Sequence, residues 1–136
     1  MEKEMSEIKK KEFTYRGKSI EELKKLDVRE FSKYIKSGAR RSILRQFQQI
    51  EDFINRARIK TEKNKSIRTH QRNLVIVPAM VGMKIGIHDG KTFLPVIITG
   101  EMLGHRLGEF AMTRARVKHG KSGIGATKGS KFKAKK

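Results

Sequence analysis

Four histidines are the first residues in this sequence whose type could support chemistry. They are His70, His88, His105 and His119. No two of them have the four-residue spacing that brings a pair of metal ligands together on one face of a helix, and the chain has no cysteine. The pattern therefore predicts no metal site and no disulfide. Each histidine is then either an ordinary surface residue or a group that stacks on, or hydrogen-bonds to, a nucleotide, and the sequence leaves both interpretations open.

Two short segments end like a phosphate-binding loop, Gly90-Lys91-Thr92 and Gly120-Lys121-Ser122. That loop requires a further glycine five residues before the glycine that precedes its lysine, and these positions hold isoleucine and alanine. A catalytic carboxylate pair has little support either, because Glu101 and Glu109 lie eight residues apart with two glycines between them. We interpret them as a helix N-terminal acid and a structural acid. No serine or histidine has a partner that would make it a nucleophile, so we expect neither an enzyme nor a bound cofactor.

The charge of the chain indicates its partner more clearly. Its 136 residues include 33 Lys and Arg against 14 Asp and Glu, a net charge of +19. Self-repulsion of this size has no benefit for a free globular protein, so the expected partner is a polyanion, with nucleic acid favoured over an anionic membrane surface. No apolar stretch approaches the length of a membrane span, and the charged N-terminus lacks the apolar region of a secretory signal. We therefore expect an intracellular, cytoplasmic protein.

Apolar and basic residues are distributed unevenly, which predicts three segments. Residues 1–60 form a helical N-terminal segment behind a frayed leader, residues 61–113 form an α+β core module that binds RNA, and residues 114–136 form a basic extended tail. The tail is predicted from composition, because after Glu109 the chain has nine Lys and Arg, four glycines and no acid. Such a segment cannot bury enough apolar surface to fold alone.

Helix signals dominate the N-terminal segment. Ser19 and Glu22 fit a capping box at the start of a short amphipathic helix, and Asp27 fits the cap of a second helix that ends near Gly38. From position 39 to 59 apolar residues recur at three- and four-residue spacing, which predicts one long helix with a buried stripe. Arginines at positions 40, 41, 45, 56 and 58 occupy its other face, and we expect them to contact phosphates.

The core module is predicted as a small three-stranded sheet followed by a helix, after an irregular basic linker at 60–73. The predicted strands are Leu74–Val77, Lys84–His88 and Thr92–Thr99. Asp89-Gly90 is a strong signal for a hairpin between the last two strands. The predicted helix is Glu101–Phe110, in which Gly104 and Gly108 clear one face for the close approach of either a sugar–phosphate chain or another helix. The expected fold class is therefore α+β, a small three-stranded sheet packed with helices.

A set of short motifs runs through the core module in a fixed order. They are Asp89-Gly90-Lys91, Ile98, Leu103-Gly104, Leu107-Gly108-Glu109-Phe110 and Thr113. Together they resemble the signature of the universal small-subunit ribosomal protein S-nineteen family, and the resemblance extends over residues 75–120 and the basic stretch KSIRTHQR before them. Two further pieces, FTYRG at 13–17 and VKHGKSGIGAT at 117–127, resemble the archaeal and eukaryotic branch of that family.

The resemblance implies a structural role in the head of the small ribosomal subunit, bound to small-subunit ribosomal RNA beside the head proteins numbered thirteen and fourteen. It also implies a C-terminal tail near the decoding region and A-site transfer RNA, and an acid-free tail with glycines suits a path between phosphates. The side chains that we expect to contact RNA are Arg68, Arg72, Lys84, His88, Lys91, His105, Arg106, Arg114, Arg116, Lys118, His119, Lys121, Lys128 and Lys131. The alternative is a basic architectural protein that binds duplex DNA or RNA outside the ribosome.

Overall fold

The structure is a computed structural model, and it describes residues 12–116. Its strands are β1 (Thr14–Tyr15), β2 (Lys18–Ser19), β3 (Ile67–Thr69), β4 (Lys84–His88) and β5 (Phe93–Ile97). Its helices are α1 (Ile20–Lys25), α2 (Val28–Ser32), α3 (Ser37–Arg45) and α4 (Phe47–Glu62), and short 3₁₀ turns occur at Pro78–Met80, Gly100–Met102 and Leu107–Phe110. Helices around a small mixed sheet confirm the α+β prediction. The predicted extended tail lies almost entirely outside the described residues.

The described chain begins with a tight hairpin of β1 and β2. The turn residues Arg16 and Gly17 both have positive φ (49° and 80°), as in a two-residue type I′ turn. Ser19 then caps α1, because its hydroxyl accepts a hydrogen bond from the amide of Glu22 at 3.3 Å. Asp27 begins α2, and its amide donates to the carboxylate three residues later at 3.4 Å. Both predicted helix starts are confirmed, but the predicted end of the second helix near Gly38 is wrong, because α2 ends at Ser32 and Gly38 lies inside α3.

The long helix predicted at 39–59 is in fact two helices, α3 and α4, which separate at Gln46 (φ −107°, ψ 17°). Arg40 fixes the position of the first of these helices. Its guanidinium donates to the carbonyls of Ser32 (3.0 Å) and Lys33 (2.9 Å), which ties α3 to the end of α2. The α4 helix instead turns a stripe of its own toward the core, formed by Ile50, Phe53, Ile54 and Ala57. Arg40 therefore has a structural role that helical spacing alone did not predict.

The sheet has three strands, as predicted, but its first strand is not the predicted one. The strand order is β3-β4-β5, with β3 parallel to β4 and β4 antiparallel to β5. Because β3 lies within residues 60–73, the prediction of an irregular linker there was wrong for this part. The three residues of β3 are flanked by polar and basic positions, which hid the strand from a search for apolar runs.

The predicted strand Leu74–Val77 is wrong as a member of this sheet. All four residues are completely buried, which explains why their apolar run resembles a strand. Their backbone groups bond to residues 104–107 instead; for example, the amide of Leu107 donates to the carbonyl of Leu74 at 3.0 Å. The apolar run thus indicates burial correctly but does not identify the hydrogen-bonding partner.

The predicted helix Glu101–Phe110 is also wrong, because two 3₁₀ turns occupy this segment. Between them Gly104 has φ +80°, a left-handed conformation that interrupts a helix. A Cβ at Gly104 would lie 3.2 Å from Cγ2 of Ile35, and one at Gly108 would lie 3.0 Å from Cβ of Arg72. These glycines were expected to admit either a sugar–phosphate chain or another helix. In the structure they instead let other parts of the same protein approach closely.

The hairpin of β4 and β5 confirms the strongest local prediction. Asp89 holds the turn, because its Oδ1 accepts hydrogen bonds from the amides of Thr92 (2.7 Å) and Lys91 (2.8 Å). These two bonds stabilise the carboxylate and lower the pKa of Asp89 to about 2. Gly90 has φ +108°, the left-handed conformation that a turn of this kind requires.

One hydrophobic core joins the N-terminal helices to the sheet. Phe31 of α2 and Ile85 of β4 are both fully buried in this single cluster. The division of the chain at 1–60, 61–113 and 114–136 stays a prediction. In the part of the chain that the structure describes, no helix is long and apolar enough to cross a membrane.

Candidate nucleic-acid interface

The three-stranded sheet has one face on the core and one open face. Its pairing register places Arg68, Gly86 and Pro95 side by side, and it places His88 opposite Phe93. Because directly paired residues project to the same side of a sheet, these five share the open face. The isoleucines that alternate with them along β4 are buried in the core.

A groove of about 900 Å³ lies along this open face. Of the thirteen described residues that line it, Lys65, Arg68 and Lys84 are cations and none is a carboxylate. All three cations are exposed to solvent, and Phe93 and Pro95 add apolar surface to the same walls. Cations beside an aromatic surface are the combination that binds single-stranded nucleic acid, since phosphates pair with the cations and bases stack on the rings.

Gly86 brings two side chains of the groove together. A Cβ at this position would lie 3.4 Å from Cβ of Phe93 and 3.5 Å from Cγ of Arg68, so the missing side chain leaves these neighbours free to meet across the strand. The guanidinium carbon of Arg68 lies 5.5 Å from the centroid of the Phe93 ring, within the range of a cation–π contact. The groove therefore has a preformed pair of flat groups at its wall.

Two histidines extend this aromatic surface. The His70 and His88 ring centroids are 4.2 Å apart, and each lies 5.0 Å from the centroid of Phe93. His70 is exposed, while His88 and Phe93 are half-buried. Three aromatic rings therefore meet at the surface beside an arginine, and they indicate a contact surface for a flat ligand.

A smaller cleft of about 280 Å³ lies on the other side of β3, against α4. Arg56 and Lys60 of α4 line it together with Arg68 and His70, and none of its nine lining residues is a carboxylate. Gln71 also lines the cleft, and its Oε1 is buried without a hydrogen-bond partner among the described residues. Arg68 thus lines two basic depressions, which makes the surface around β3 a continuous basic surface.

The structure brings three of the predicted RNA contacts together on this open face: Arg68, Lys84 and His88. Lys91 is exposed at the tip of the hairpin. Arg114 and Arg116 are exposed near the end of the described chain. All of these side chains remain candidates for RNA contact.

Arg72 differs from the other candidates because its guanidinium bonds inside the protein. Nη2 donates to the carbonyls of Gly108 (2.8 Å) and Ala111 (2.6 Å), and Nη1 donates to the carbonyl of His88. These carbonyls belong to two separate parts of the chain, the end of β4 and the segment 108–111. Arg72 therefore holds together the segments on which the open sheet face is built, a role that the sequence did not reveal.

Two further candidates also bond within the protein. Nδ1 of His105 lies 2.7 Å from Oε2 of Glu109, and Arg106 donates to the hydroxyl of Ser42 at 3.1 Å. Glu109 is thus paired with a histidine, as suits a structural acid. Among the described residues, no three histidine, aspartate or glutamate side chains come close enough together to hold a metal ion. The remaining candidates, Lys118, His119, Lys121, Lys128 and Lys131, lie outside the described residues.

Sequence reasoning missed several members of the interface. They are Lys60 as part of a cleft, and Lys65, His70 and Phe93 as part of the sheet face, whereas Arg56 was among the arginines expected to contact phosphates. Phe93 could have been found, because a hairpin centred on the Asp89 turn pairs it with His88. His70 could not, because its place depends on the unrecognised strand β3.

Comparison with known proteins agrees with this picture of a basic binding protein. The family model described as Ribosomal protein S19 matches residues 41–119. The small ribosomal subunit protein uS19 of Methanocella arvoryzae is 47% identical over 124 residues, which cover 91% of this chain and 87% of that protein. The uS19 of Saccharolobus solfataricus is 42% identical over 130 residues, covering 93% of each. Both relatives are archaeal, in agreement with the branch indicated by the terminal motifs. The chain therefore belongs to the ribosomal protein S19 family, whose members are structural proteins of the small ribosomal subunit and not enzymes.

Proposed function

We propose that this chain binds small-subunit ribosomal RNA in the head of the subunit and stabilises that part of the particle in the cytoplasm. The observation that carries the proposal is the acid-free groove of the open sheet face, where Lys65, Arg68 and Lys84 lie around an aromatic wall. A surface of this composition, on a chain of net charge +19, gains affinity by releasing the counterions of the phosphates that it neutralises.

We assign the phosphate contacts to the exposed cations around the sheet. These are Lys65, Arg68, Lys84 and Lys91, joined by Arg56 and Lys60 from the cleft at α4 and by Arg114 and Arg116 near the end of the described chain. His88 contacts a nucleotide from beside Phe93. Arg72 positions the sheet and its neighbours instead, because its donors already serve three carbonyls.

The same proposal includes the neighbours implied by the family: the head proteins numbered thirteen and fourteen, and A-site transfer RNA near the tail. The tail argument rests on composition. After Glu109 there is no acid, and glycines separate the cations Lys118, Lys121, Lys128 and Lys131. A chain of this kind can follow an irregular path between phosphates, because glycine permits tight turns and each cation releases counterions.

Sedimentation through a sucrose gradient tests the proposal. The protein should travel with small subunits after a moderate salt wash, and crosslinking followed by sequencing should recover small-subunit ribosomal RNA joined to the sheet face. A protein that stays at the top of the gradient, or that crosslinks mainly to other nucleic acids, would support the alternative of an architectural factor outside the ribosome.

Truncation after Gly120 separates the two parts of the proposal. It removes six of the nine basic residues that follow Glu109 and leaves every described residue in place. In cells with only the truncated copy, subunits should still incorporate the protein, and a misreading reporter should reveal the defect. Loss of incorporation by a normally folded truncated protein would instead identify the tail as an assembly anchor.

A further inference from the structure

We propose that the groove on the open sheet face holds one unpaired ribonucleotide, whose base stacks on the Arg68–Phe93 pair. Lys65 and Lys84 then neutralise the phosphates on either side of that nucleotide. The inference rests on the proposed function, since it names the form of RNA that the site accepts. It goes further than the proposed function because this groove requires a base that lies outside any helix, whereas the rest of the surface requires only phosphates.

The shape of the groove favours a single nucleotide over a paired helix. Its volume of about 900 Å³ falls in the range of sites that enclose small ligands. An A-form helix presents its phosphates on a convex surface and keeps its base faces covered by stacking, so it can reach the cations at the rim but has nothing to place against Phe93. A base turned out of a helix exposes both faces and can enter.

The aromatic groups are arranged to receive such a base. His70 and His88 meet Phe93 at steep angles, 78° and 66°, so neither imidazole lies flat on the phenylalanine ring. Arg68 lies over Phe93 and brings a planar guanidinium on which a base can also stack. Pure phosphate binding would require none of these flat groups.

Charge complementarity argues for a nucleotide as the occupant. The lining of the groove combines three cations with no carboxylate, and its apolar part includes Phe93, Pro95 and Met83. A nucleotide satisfies both features, since it joins a phosphate to an aromatic ring. An acidic peptide would satisfy only the charge, and an apolar helix would leave Lys65 and Lys84 against an uncharged surface.

Binding of two matched RNA duplexes to the full-length protein tests the inference. One duplex is fully paired, and the other carries a single bulged aminopurine, a fluorescent adenine analogue whose emission falls when it stacks. The wild-type protein should bind the bulged duplex more tightly and quench its fluorescence. Phe93→Leu should lower affinity for the bulged duplex by about tenfold, the usual loss for one stacked base, and leave the paired duplex within about twofold.

Two other variants make the result specific. Phe47→Leu is the control, because Phe47 is another half-buried phenylalanine with an arginine over its ring, at 4.3 Å from Arg29, but it lies outside the groove. Phe47→Leu should not change the affinity for one duplex more than for the other. Arg68→Lys keeps the charge and removes the flat guanidinium, so it should weaken the bulged duplex alone. If Phe93→Leu fails to fold, as judged by its circular dichroism melt, Arg68→Lys decides the question.

Several outcomes would overturn the inference. If Phe93→Leu lowers the affinity for both duplexes equally, the groove recognises phosphates only. A wild-type protein without preference or quenching would mean that no base enters it. If an oligoglutamate peptide loses affinity on Phe93→Leu as the bulged duplex does, the occupant is an acidic peptide. If the protein still sediments with small subunits, any of these results leaves the proposed function standing. If the wild-type protein does not sediment with small subunits, the proposed function itself is contradicted.

Discussion

Replacement of Arg72 by methionine should destabilise the framework behind the open sheet face. Methionine retains most of the length of the side chain but none of its donors. The three carbonyls that Arg72 serves, on His88, Gly108 and Ala111, would then lose their partner at a half-buried site. Because Arg72 joins the carbonyl of His88 in the hairpin to those of Gly108 and Ala111, the loss of these bonds weakens the packing of the hairpin against the segment that follows Leu107.

The size of the effect follows from the hydrogen bonds. A bond from a cationic donor to a carbonyl contributes about 1.5–3 kcal/mol, and the contributions of bonds to one group do not add fully. Arg72 is only half-buried, so water replaces part of what is lost. Taking the lower value for two of the three bonds, we expect the free energy of unfolding to fall by about 3 kcal/mol.

Urea denaturation of the free protein measures this change, with Arg114→Met as the matched control at an exposed arginine. The control should stay within about 0.5 kcal/mol of the wild type. The salt dependence of RNA binding gives an independent measure, because loss of one phosphate contact lowers the slope of log affinity against log salt by about one. Arg114→Met should lower that slope and Arg72→Met should not. If Arg72→Met leaves stability unchanged and lowers the slope of log affinity against log salt, our reasoning is refuted and Arg72 contacts a phosphate.

Two further predictions concern turns. The pKa of Asp89 falls from 3.8 to about 2 on folding, so its contribution to stability is complete above about pH 4 and is lost as the pH falls toward 2. Asp89→Asn should remove this pH dependence of stability. A carboxyl NMR titration of Asp89 with a midpoint near 4 would contradict the assignment. Gly104→Ala should cost about 1–3 kcal/mol of unfolding free energy, from its left-handed backbone and the contact with Ile35. Gly82→Ala, at φ +91° with open space around the added Cβ, should lose only the backbone part. Equal losses in the two glycine variants would show that Ile35 adds nothing.

The parts of the fold that the sequence predicted are those whose hydrogen bonds close within a few residues. Ser19 and Asp27 mark the starts of α1 and α2 because each cap bonds to an amide or carboxylate three positions away. Asp89 and Gly90 mark the hairpin because the turn is completed by the amides of Lys91 and Thr92, two and three residues after Asp89. Such signals need no knowledge of the rest of the chain.

The wrong predictions share the opposite property. The run Leu74–Val77 bonds to residues about thirty positions later, and β3 pairs with a strand that begins at Lys84. Apolar content reports that a segment is buried, but nothing in its pattern selects between a sheet neighbour and a 3₁₀ turn. The predicted helix Glu101–Phe110 failed for a related reason, since Gly104 adopts a conformation that suits its contact with Ile35.

The candidate site was predicted in part for the same reason. His88 and Phe93 meet through a local hairpin, so half of the aromatic surface follows from the sequence. Arg68 and His70 join it only through the parallel pairing of β3 with β4, which brings together residues that are eighteen positions apart along the chain. The cations were easy to find by type, but the sequence did not separate those at the surface from those that bond inside the protein.

The division between cations at the surface and cations that bond within the protein explains how a chain with so few acids holds its cations in place. Within residues 12–116 the one basic side chain that lies within 4 Å of a carboxylate is His105, beside Glu109, whereas Arg40 and Arg72 donate to backbone carbonyls where helices, strands and turns end. Salt screens bonds to neutral carbonyls much less than it screens contacts between exposed charges and phosphates. We therefore expect Arg40 and Arg72 to keep the fold intact at ionic strengths that would release bound RNA, and we expect the exposed cations around β3 to remain available for phosphates.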